Sequence, residues 1–140
     1  MARQPGTVRP TVGTTKSHIS HVVLDAPTWE HSVAFQLERM PEAVAYARND
    51  HLDLTIPYEW QGVWREYRPD YLIRWRGKDG RQIKILLEVK AYEREQDRQK
   101  KVAAKRWIRA VNHHGEFGRW AFTVCRDPRR LKGTVREIAR

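Results

Sequence analysis

The chain has 140 residues, a length that suits one compact domain with a real core and is too short for two. Its 27 Lys and Arg residues against 17 Asp and Glu give a formal net charge of +10, which favours a polyanionic partner such as nucleic acid. A basic surface that is merely solvated is the equal alternative. With 40% apolar residues the composition excludes a disordered chain.

The amino-acid composition also predicts the compartment of the protein and its relation to membranes. A single cysteine, Cys125, rules out an internal disulfide bond and fits a reducing compartment. No apolar run reaches 18 residues, and the opening MARQPGTVRP lacks the apolar stretch of a secretory signal. We therefore expect a cytoplasmic protein with no membrane partner.

The amino-terminal third predicts an arm, a strand and a helix. Residues 1–17 are rich in Thr, Gly, Pro and basic residues without periodicity, which predicts a flexible arm ahead of a single domain over residues 18–140. The β-branched run from His18 to Leu24 indicates a short added strand. Residues 27–50 have helical spacing, and Pro41 is expected to kink that helix or split it in two.

The rest of the chain alternates strands and helices. Strand-like runs cover Leu52 to Tyr58 and Val63 to Trp75, and a tight turn over Gly77 to Gly80 leads into a partner strand from Gln82 to Ala91. We then expect a helix over Glu93 to Gly115, a strand over Trp120 to Cys125, and a short helix from Leu131, listed here in chain order. The order predicts an α/β domain.

The stretch ILLEVK, residues 85–90, contains two charged residues, Glu88 and Lys90. They share one strand face at the end of an apolar run. Asp70 precedes Glu88 by 18 residues. A turn near residues 78–80 pairs positions whose numbers sum to about 158, so Asp70 is expected opposite Glu88. Spacing alone leaves an ordinary surface salt bridge as the alternative.

Two carboxylates held so close repel each other, and a divalent cation would compensate them. Mg²⁺ prefers oxygen ligands and commonly takes one or two protein carboxylates together with substrate phosphate oxygens. Such an ion polarises a phosphate and lowers the pKa of a bound water, and Lys90 could orient that water or offset phosphate charge. The constellation predicts hydrolysis of a phosphodiester.

Pro69 and Asp70, followed by Glu88, Val89 and Lys90, resemble the PD-(D/E)XK nuclease signature. Over about residues 17–128 the chain also resembles the carboxy-terminal endonuclease domain of the helicase-nuclease subunit of type III restriction enzymes. The stretches that carry this second resemblance are SHISHVVLD, TWEHSVAFQLE, YARNDHLDLTIPY, YRPDYLIRW, LLEVK, AAKRWIRAVN and FGRWAFTV.

The resemblance implies a three-layer α/β/α restriction-endonuclease-like fold with an αβββαβ core and a mixed central sheet. It implies a Mg²⁺-dependent endonuclease of double-stranded DNA, with Mn²⁺ able to substitute, that leaves 5′-phosphates and serves restriction-modification and antiviral defence. The implied partners outside this chain are a helicase motor domain and a methyltransferase subunit.

The resemblance also implies roles for individual residues. Asp70, Glu88 and the backbone carbonyl of Val89 would bind the metal, and Lys90 would assist the attacking water. Many family members add a glutamate from the first helix, for which Glu30 is the candidate. Glu30 is equally explained as an acidic residue favoured by the helix dipole in a first turn.

Basic residues near these positions are candidates for contacting DNA. Arg68 and Arg74 lie on the hairpin around Asp70, and Lys100 and Lys101 lie on the following helix, where Lys100 resembles a basic position of the family. The chain departs from the family at Ala91, where glycine is frequent, and we expect only a local backbone change there.

Other readings remain open beside the nuclease. The segment GTTKS lacks the earlier glycine of a phosphate-binding loop, so we expect no ATP site in this chain. The main alternative function is a DNA-binding module with a nuclease-like fold that is catalytically silent or is activated by partners. A nuclease directed at RNA is the third reading.

Overall fold

The structure is a computed structural model that describes residues 11–13, 21–23 and 29–140, with side chains from Ser32 onward except that of His51. Its strands are β1 (Thr11–Gly13), β2 (His21–Val23), β3 (Ala43–Arg48), β4 (Ile56–Trp60), β5 (Val63–Tyr67), β6 (Tyr71–Arg76), β7 (Gln82–Val89) and β8 (Arg119–Cys125). Its α-helices are α1 (Trp29–Arg39), α2 (Glu95–His114) and α3 (Leu131–Ile138). Short 3₁₀ turns cover Asn49–His51 and Pro128–Arg130.

A mixed four-stranded sheet lies at the centre, in the order β3-β6-β7-β8. β3, β6 and β7 pair antiparallel, whereas β8 runs parallel to β7. A parallel neighbour requires a crossover connection, and α2 provides it. The pairs β1-β2 and β4-β5 form two separate two-stranded sheets.

One face of the central sheet, the closed face, is covered by α1 and α3. The alternate residues Tyr71, Ile73 and Trp75 of β6 point to this face, as do Ile85 and Leu87 of β7. They pack against residues of the two helices, which are Val33, Ala34, Leu37, Met40, Leu131 and Val135. The buried residues of this cluster include no charged side chain.

The opposite face, the cleft face, is covered by α2 and the β4-β5 hairpin. Leu86 of β7 and Phe122 of β8 lie here against Ala103 and Ala104 of α2. The hairpin contributes Ile56, Tyr58 and Tyr67 to the same cluster. The small side chains of these alanines let α2 approach the sheet closely. Beyond this cluster, towards the end of β7, the same face carries the charged residues Glu88 and Lys90.

These observations confirm the prediction of an α/β domain with a mixed sheet. The predicted helix over residues 27–50 is wrong in its second half, because α1 ends at Arg39 and residues Ala43–Arg48 form β3. Pro41 cannot continue the helix, and pairing with β6 then outweighs the helical preference of the alanines. The described part of the chain contains no helix long and apolar enough to cross a membrane.

Other elements follow the sequence with shifted ends. The run from Val63 to Trp75 is two strands, because it breaks between Tyr67 and Tyr71 around Pro69, which has no N–H to donate. The predicted turn is confirmed: the Gly77 N–H donates to the carbonyl of Arg81 at 2.8 Å. α2 ends as predicted at Gly115, whose φ of 83° favours glycine.

The predicted arm over residues 1–17 lies mostly outside the described residues. Within it, residues Thr11–Gly13 form β1, to which the sequence assigned no element. The strand predicted between His18 and Leu24 is present as β2, over His21–Val23.

Candidate active site

The β6-β7 hairpin brings Asp70 and Glu88 to the same end of the central sheet. Tyr71 pairs with Leu87 and Leu72 pairs with Leu86, which is the register that the sequence predicted. Asp70 directly precedes this ladder on one strand, and Glu88 directly follows Leu87 on the other. The two carboxyl groups are therefore neighbours because of strand register.

Asp70 is held from both its backbone and its side chain. The backbone N–H of Val89 donates to Asp70 Oδ2 at 2.8 Å, across the gap between the two strands. The N–H of Asn49 donates to the carbonyl oxygen of Asp70 at 2.9 Å. Asn49 is itself buried, and its amide group bonds both the N–H and the carbonyl of Leu54. Asp70 is thus fixed before any ligand binds.

Glu88 lies in an environment that disfavours its charge. Its Oε1 atom is buried and has no hydrogen-bond partner among the described residues. Burial, and then the neighbouring carboxylate of Asp70, raise the pKa of Glu88 to about 8. The Tyr67 hydroxyl and the Lys100 ammonium oppose this rise without cancelling it. Glu88 is therefore mostly protonated at neutral pH in the metal-free protein.

Lys90 follows on the same strand end and is held by α2. Its Nζ donates to Asp97 Oδ1 at 2.9 Å, while its backbone N–H donates to the carbonyl of Cys125 at 3.0 Å. The other oxygen of Asp97 accepts the N–H of Arg94 at 2.9 Å, at the beginning of α2. Burial would raise the pKa of Asp97, but the Lys90 hydrogen bond and the Arg94 N–H together lower it.

Lys100 lies one turn further along α2, on the same side. Its Nζ is 3.8 Å from Asp97 Oδ1 and 5.7 Å from the centre of the Tyr67 ring. A second ring, that of Tyr58, lies 5.9 Å from the same Nζ. Lys100 is therefore held between a carboxylate and two aromatic faces, which orients its charge towards the sheet end.

A second cluster of charged side chains surrounds Glu93, beside the cluster that Lys90, Asp97 and Lys100 form. Lys101 Nζ is 2.9 Å from Glu93 Oε1, and Arg126 Nη2 is 3.3 Å from the same oxygen. Arg98 Nε is 3.6 Å from Glu93 Oε2. Three cations from α2 and the end of β8 thus surround a single carboxylate.

One cleft between the sheet end and α2 is lined by Glu88, Lys90, Asp97, Lys100, Lys101 and Arg126. Asp70 lines a neighbouring groove together with Arg48 and Arg68. The two neighbouring carboxyl groups therefore line two different openings, and both openings carry basic side chains.

The structure places the other predicted residues as follows. Arg68 Nη1 bonds Asp53 Oδ1 at 2.8 Å on the rim of the groove that Asp70 lines. Arg74 is exposed on β6 and lines neither opening. Glu30 lies in the first turn of α1, and its side chain falls outside the described residues.

Tyr67, Asp97 and Glu93 belong to the site and were not selected from the sequence. Tyr67 ends β5, and burial together with Glu88 and Asp70 raises its pKa above the usual range. A signal for Asp97 was present, because an acidic residue in a first turn can bond the backbone N–H at the helix start. Glu93 carries no such signal, since its role depends on Arg126, which follows the distant strand β8.

The donor atoms present suit a hard divalent cation. Among residues whose side chains are described, no group of three or more His, Cys, Asp and Glu is arranged to hold a metal ion. Two carboxylates are nevertheless what Mg²⁺ commonly takes from a protein, since it keeps several of its waters. The partnerless buried oxygen of Glu88 is the atom that such an ion would satisfy.

Comparisons with known proteins give no match for this chain: no family model, no curated protein and no solved structure is significantly similar to it.

Proposed function

We propose that the chain is a metal-dependent endonuclease of double-stranded DNA, of the PD-(D/E)XK type. One observation carries the proposal: Asp70 and Glu88 meet at the end of neighbouring strands, and Glu88 has a buried oxygen without a partner. Holding the largely covered carboxyl of Glu88 beside the exposed carboxylate of Asp70 costs free energy, and that cost is understandable where a cation binds them both.

The order of the elements supports the same proposal. From α1 to β8, and leaving out the β4-β5 hairpin, the elements run α1, β3, β6, β7, α2, β8, which is the αβββαβ order of the proposed restriction-endonuclease-like fold. With the resemblance to type III restriction nucleases, this order supports a role in restriction, with a helicase motor and a methyltransferase as partners.

The residues present fit a metal ion. Asp70, Glu88 and the backbone carbonyl of Val89 would hold Mg²⁺, and Mn²⁺ offers the same coordination to oxygen donors. When bound, such an ion polarises the scissile phosphate and lowers the pKa of a coordinated water. Glu88 must lose its proton to bind the ion, so binding releases a proton and strengthens as the pH rises towards 8.

The remaining roles belong to charged side chains of the chain itself. Lys90, anchored by Asp97, would orient the attacking water and offset the charge that develops on the phosphate. Lys100 and Lys101 would contact the phosphate backbone from the cleft wall, and Arg68 would do so from the groove beside Asp70. Arg74, which lines neither opening, would contribute only to the general positive field.

A second candidate is a DNA-binding module that cuts only with a partner, or never. The observation that favours it is the ion pair between Lys90 and Asp97, at 2.9 Å, which engages the proposed catalytic ammonium. A partner that shifted α2 would separate the two and free Lys90.

Cleavage of plasmid DNA in Mg²⁺ or Mn²⁺ tests the proposal. We expect Asp70→Asn to abolish cutting, because it removes a metal-binding charge, and Lys90→Ala to slow it by about 100-fold or more. Glu116→Gln and Lys132→Ala are matched controls that remove the same charges at exposed positions outside the cleft. Both controls should cut at the rate of the unmodified protein.

A second measurement separates metal binding from activity. Mg²⁺ should raise the melting temperature of the unmodified protein more at pH 8 than at pH 6. In Asp70→Asn, Mg²⁺ should raise the melting temperature only slightly at either pH. Cutting that persists in both Asp70→Asn and Lys90→Ala would contradict the nuclease assignment. DNA binding without any cutting, unchanged in Lys90→Ala, would favour the second candidate.

A further inference from the structure

The cluster around Glu93 brings more positive charge together than one carboxylate balances. Lys101 and Arg126 both contact Glu93 Oε1, and Arg98, which Glu95 also pairs at 3.1 Å, contacts Oε2. Even if Arg98 is assigned to Glu95, two cations remain for one negative charge. The cluster therefore keeps an excess positive charge with Glu93 in place.

The position of Glu93 allows it to leave without unfolding an element. It lies outside α2, which begins at Glu95, and Asp97 rather than Glu93 bonds the N–H of Arg94 at the helix start. Its ion pairs with Lys101 and Arg126 join partly exposed side chains, and partly exposed ion pairs contribute little stability. Exchange of its carboxylate for another anion would cost little.

The cluster also lies where a substrate would pass. Lys101 and Arg126 line the same cleft as Glu88 and Lys90. Asp97, which holds Lys90, and Lys101, which holds Glu93, lie four positions apart on α2, a rise of about 6 Å. This separation suits successive phosphate groups of one nucleic-acid strand.

We propose that Lys101 and Arg126 form a binding subsite for a backbone phosphate of duplex DNA, adjacent to the one at Asp70 and Glu88, and that Glu93 occupies it until DNA displaces it. This inference rests on the proposed function and adds a specific phosphate contact and an internal competitor to it. A backbone phosphodiester carries the same single charge as the Glu93 carboxylate, but its contact with Lys101 and Arg126 also releases counterions condensed on the DNA, and this release favours the exchange.

Binding of a fluorescein-labelled DNA duplex to the full chain, measured by anisotropy in chelator at several salt concentrations, tests the subsite without any cutting. We expect Glu93→Gln to tighten binding by about 5-fold or more, because the competitor is removed and the subsite stays. The matched control is Glu95→Gln, which removes the same charge nearby but touches neither Lys101 nor Arg126. It should tighten binding by less than about 2-fold.

A second set of variants removes the two cations of the subsite instead of the competing carboxylate. The double variant Lys101→Gln/Arg126→Gln should weaken binding and lower the salt slope by about 2, since two phosphate-contacting charges are lost. Adding Glu93→Gln to that variant should then tighten binding no more than Glu95→Gln does in the unmodified protein. Unfolding by circular dichroism shows whether each variant is folded.

Equal effects of Glu93→Gln and Glu95→Gln would overturn the subsite, and so would the absence of measurable duplex binding by the unmodified protein. Cleavage by the unmodified protein and its loss in Asp70→Asn are measured separately. The subsite and the nuclease assignment can therefore fail independently.

Discussion

The two faces of the central sheet differ in what they bury. The closed face packs aliphatic and aromatic side chains and no charged ones, with Ile85 and Leu87 of β7 fully buried against α1 and α3. The cleft face packs Leu86, changes to Glu88 two residues later on the same strand, and continues to Lys90 just after β7 ends. One face fixes the strand position so that the other can hold charges that would otherwise be unfavourable.

Leu86 and Leu87 test this division directly, because they are neighbours in sequence on opposite faces. We expect Leu87→Ala to lower the free energy of unfolding by about 2–5 kcal/mol through the cavity it leaves. Leu86→Ala should cost less, because its cluster is smaller and opens into the cleft, where neighbours can relax. Urea unfolding of both variants gives the comparison, and equal losses would contradict the division into a rigid face and a permissive one.

The second-largest expected effect is a pH dependence of the free energy of unfolding that arises from Glu88. Its folded pKa, about 8, exceeds its ordinary value of 4.5, so the folded state holds the proton more tightly than the unfolded state does. The stability that the folded state gains from this tighter proton binding is fully present below pH 4.5 and is lost as the pH rises through 8. In chelator, the Glu88 contribution should fall with a limiting slope of about 1.4 kcal/mol per pH unit.

Urea unfolding at several pH values checks this prediction, with Glu88→Gln as the comparison. The amide has no proton to lose, so the variant should be less sensitive to pH over this range and gain stability relative to the unmodified protein as the pH rises. Stability curves that stay parallel for the two proteins would show that Glu88 titrates normally.

Asp97 is expected to give the smallest effect. Asp97→Ala removes both the bond to the Arg94 N–H and the pair with Lys90, and should lower stability by about 1 kcal/mol. Asp97→Asn keeps an acceptor for the N–H and should recover most of that loss. Thermal unfolding of the two variants compares them, and a larger loss in the asparagine variant would contradict the capping role.

The carboxylate pair could be predicted from sequence because its cause is local. A tight turn at Gly77 and Gly80 and the period of two along each strand determine that position 70 faces position 88, and the observed pairing has that register. The apolar stripe of α2 and its end at Gly115 have causes of the same kind. Short-range chemistry specifies these features without knowledge of the rest of the fold.

Features that depend on distant partners could not be predicted. The segment Ala43–Arg48 has a helical composition, and only pairing with β6 makes it a strand. The pairing of Lys90 with Asp97, and of Glu93 with Arg126, requires the position of α2 against the sheet. Sequence patterns do not contain that position, because many packings of α2 satisfy the same apolar stripe.

The parallel pairing of β7 with β8 has a consequence for how the cleft is assembled during folding. A hairpin closes early because its loop is short, whereas β8 can join β7 only after the chain has crossed over through α2. Asp70 and Glu88 therefore meet through a local contact, but the wall that carries Arg126 depends on the longest connection within the central sheet. The carboxylate pair is encoded in a single hairpin, whereas the basic wall beside it exists only once the whole domain has formed.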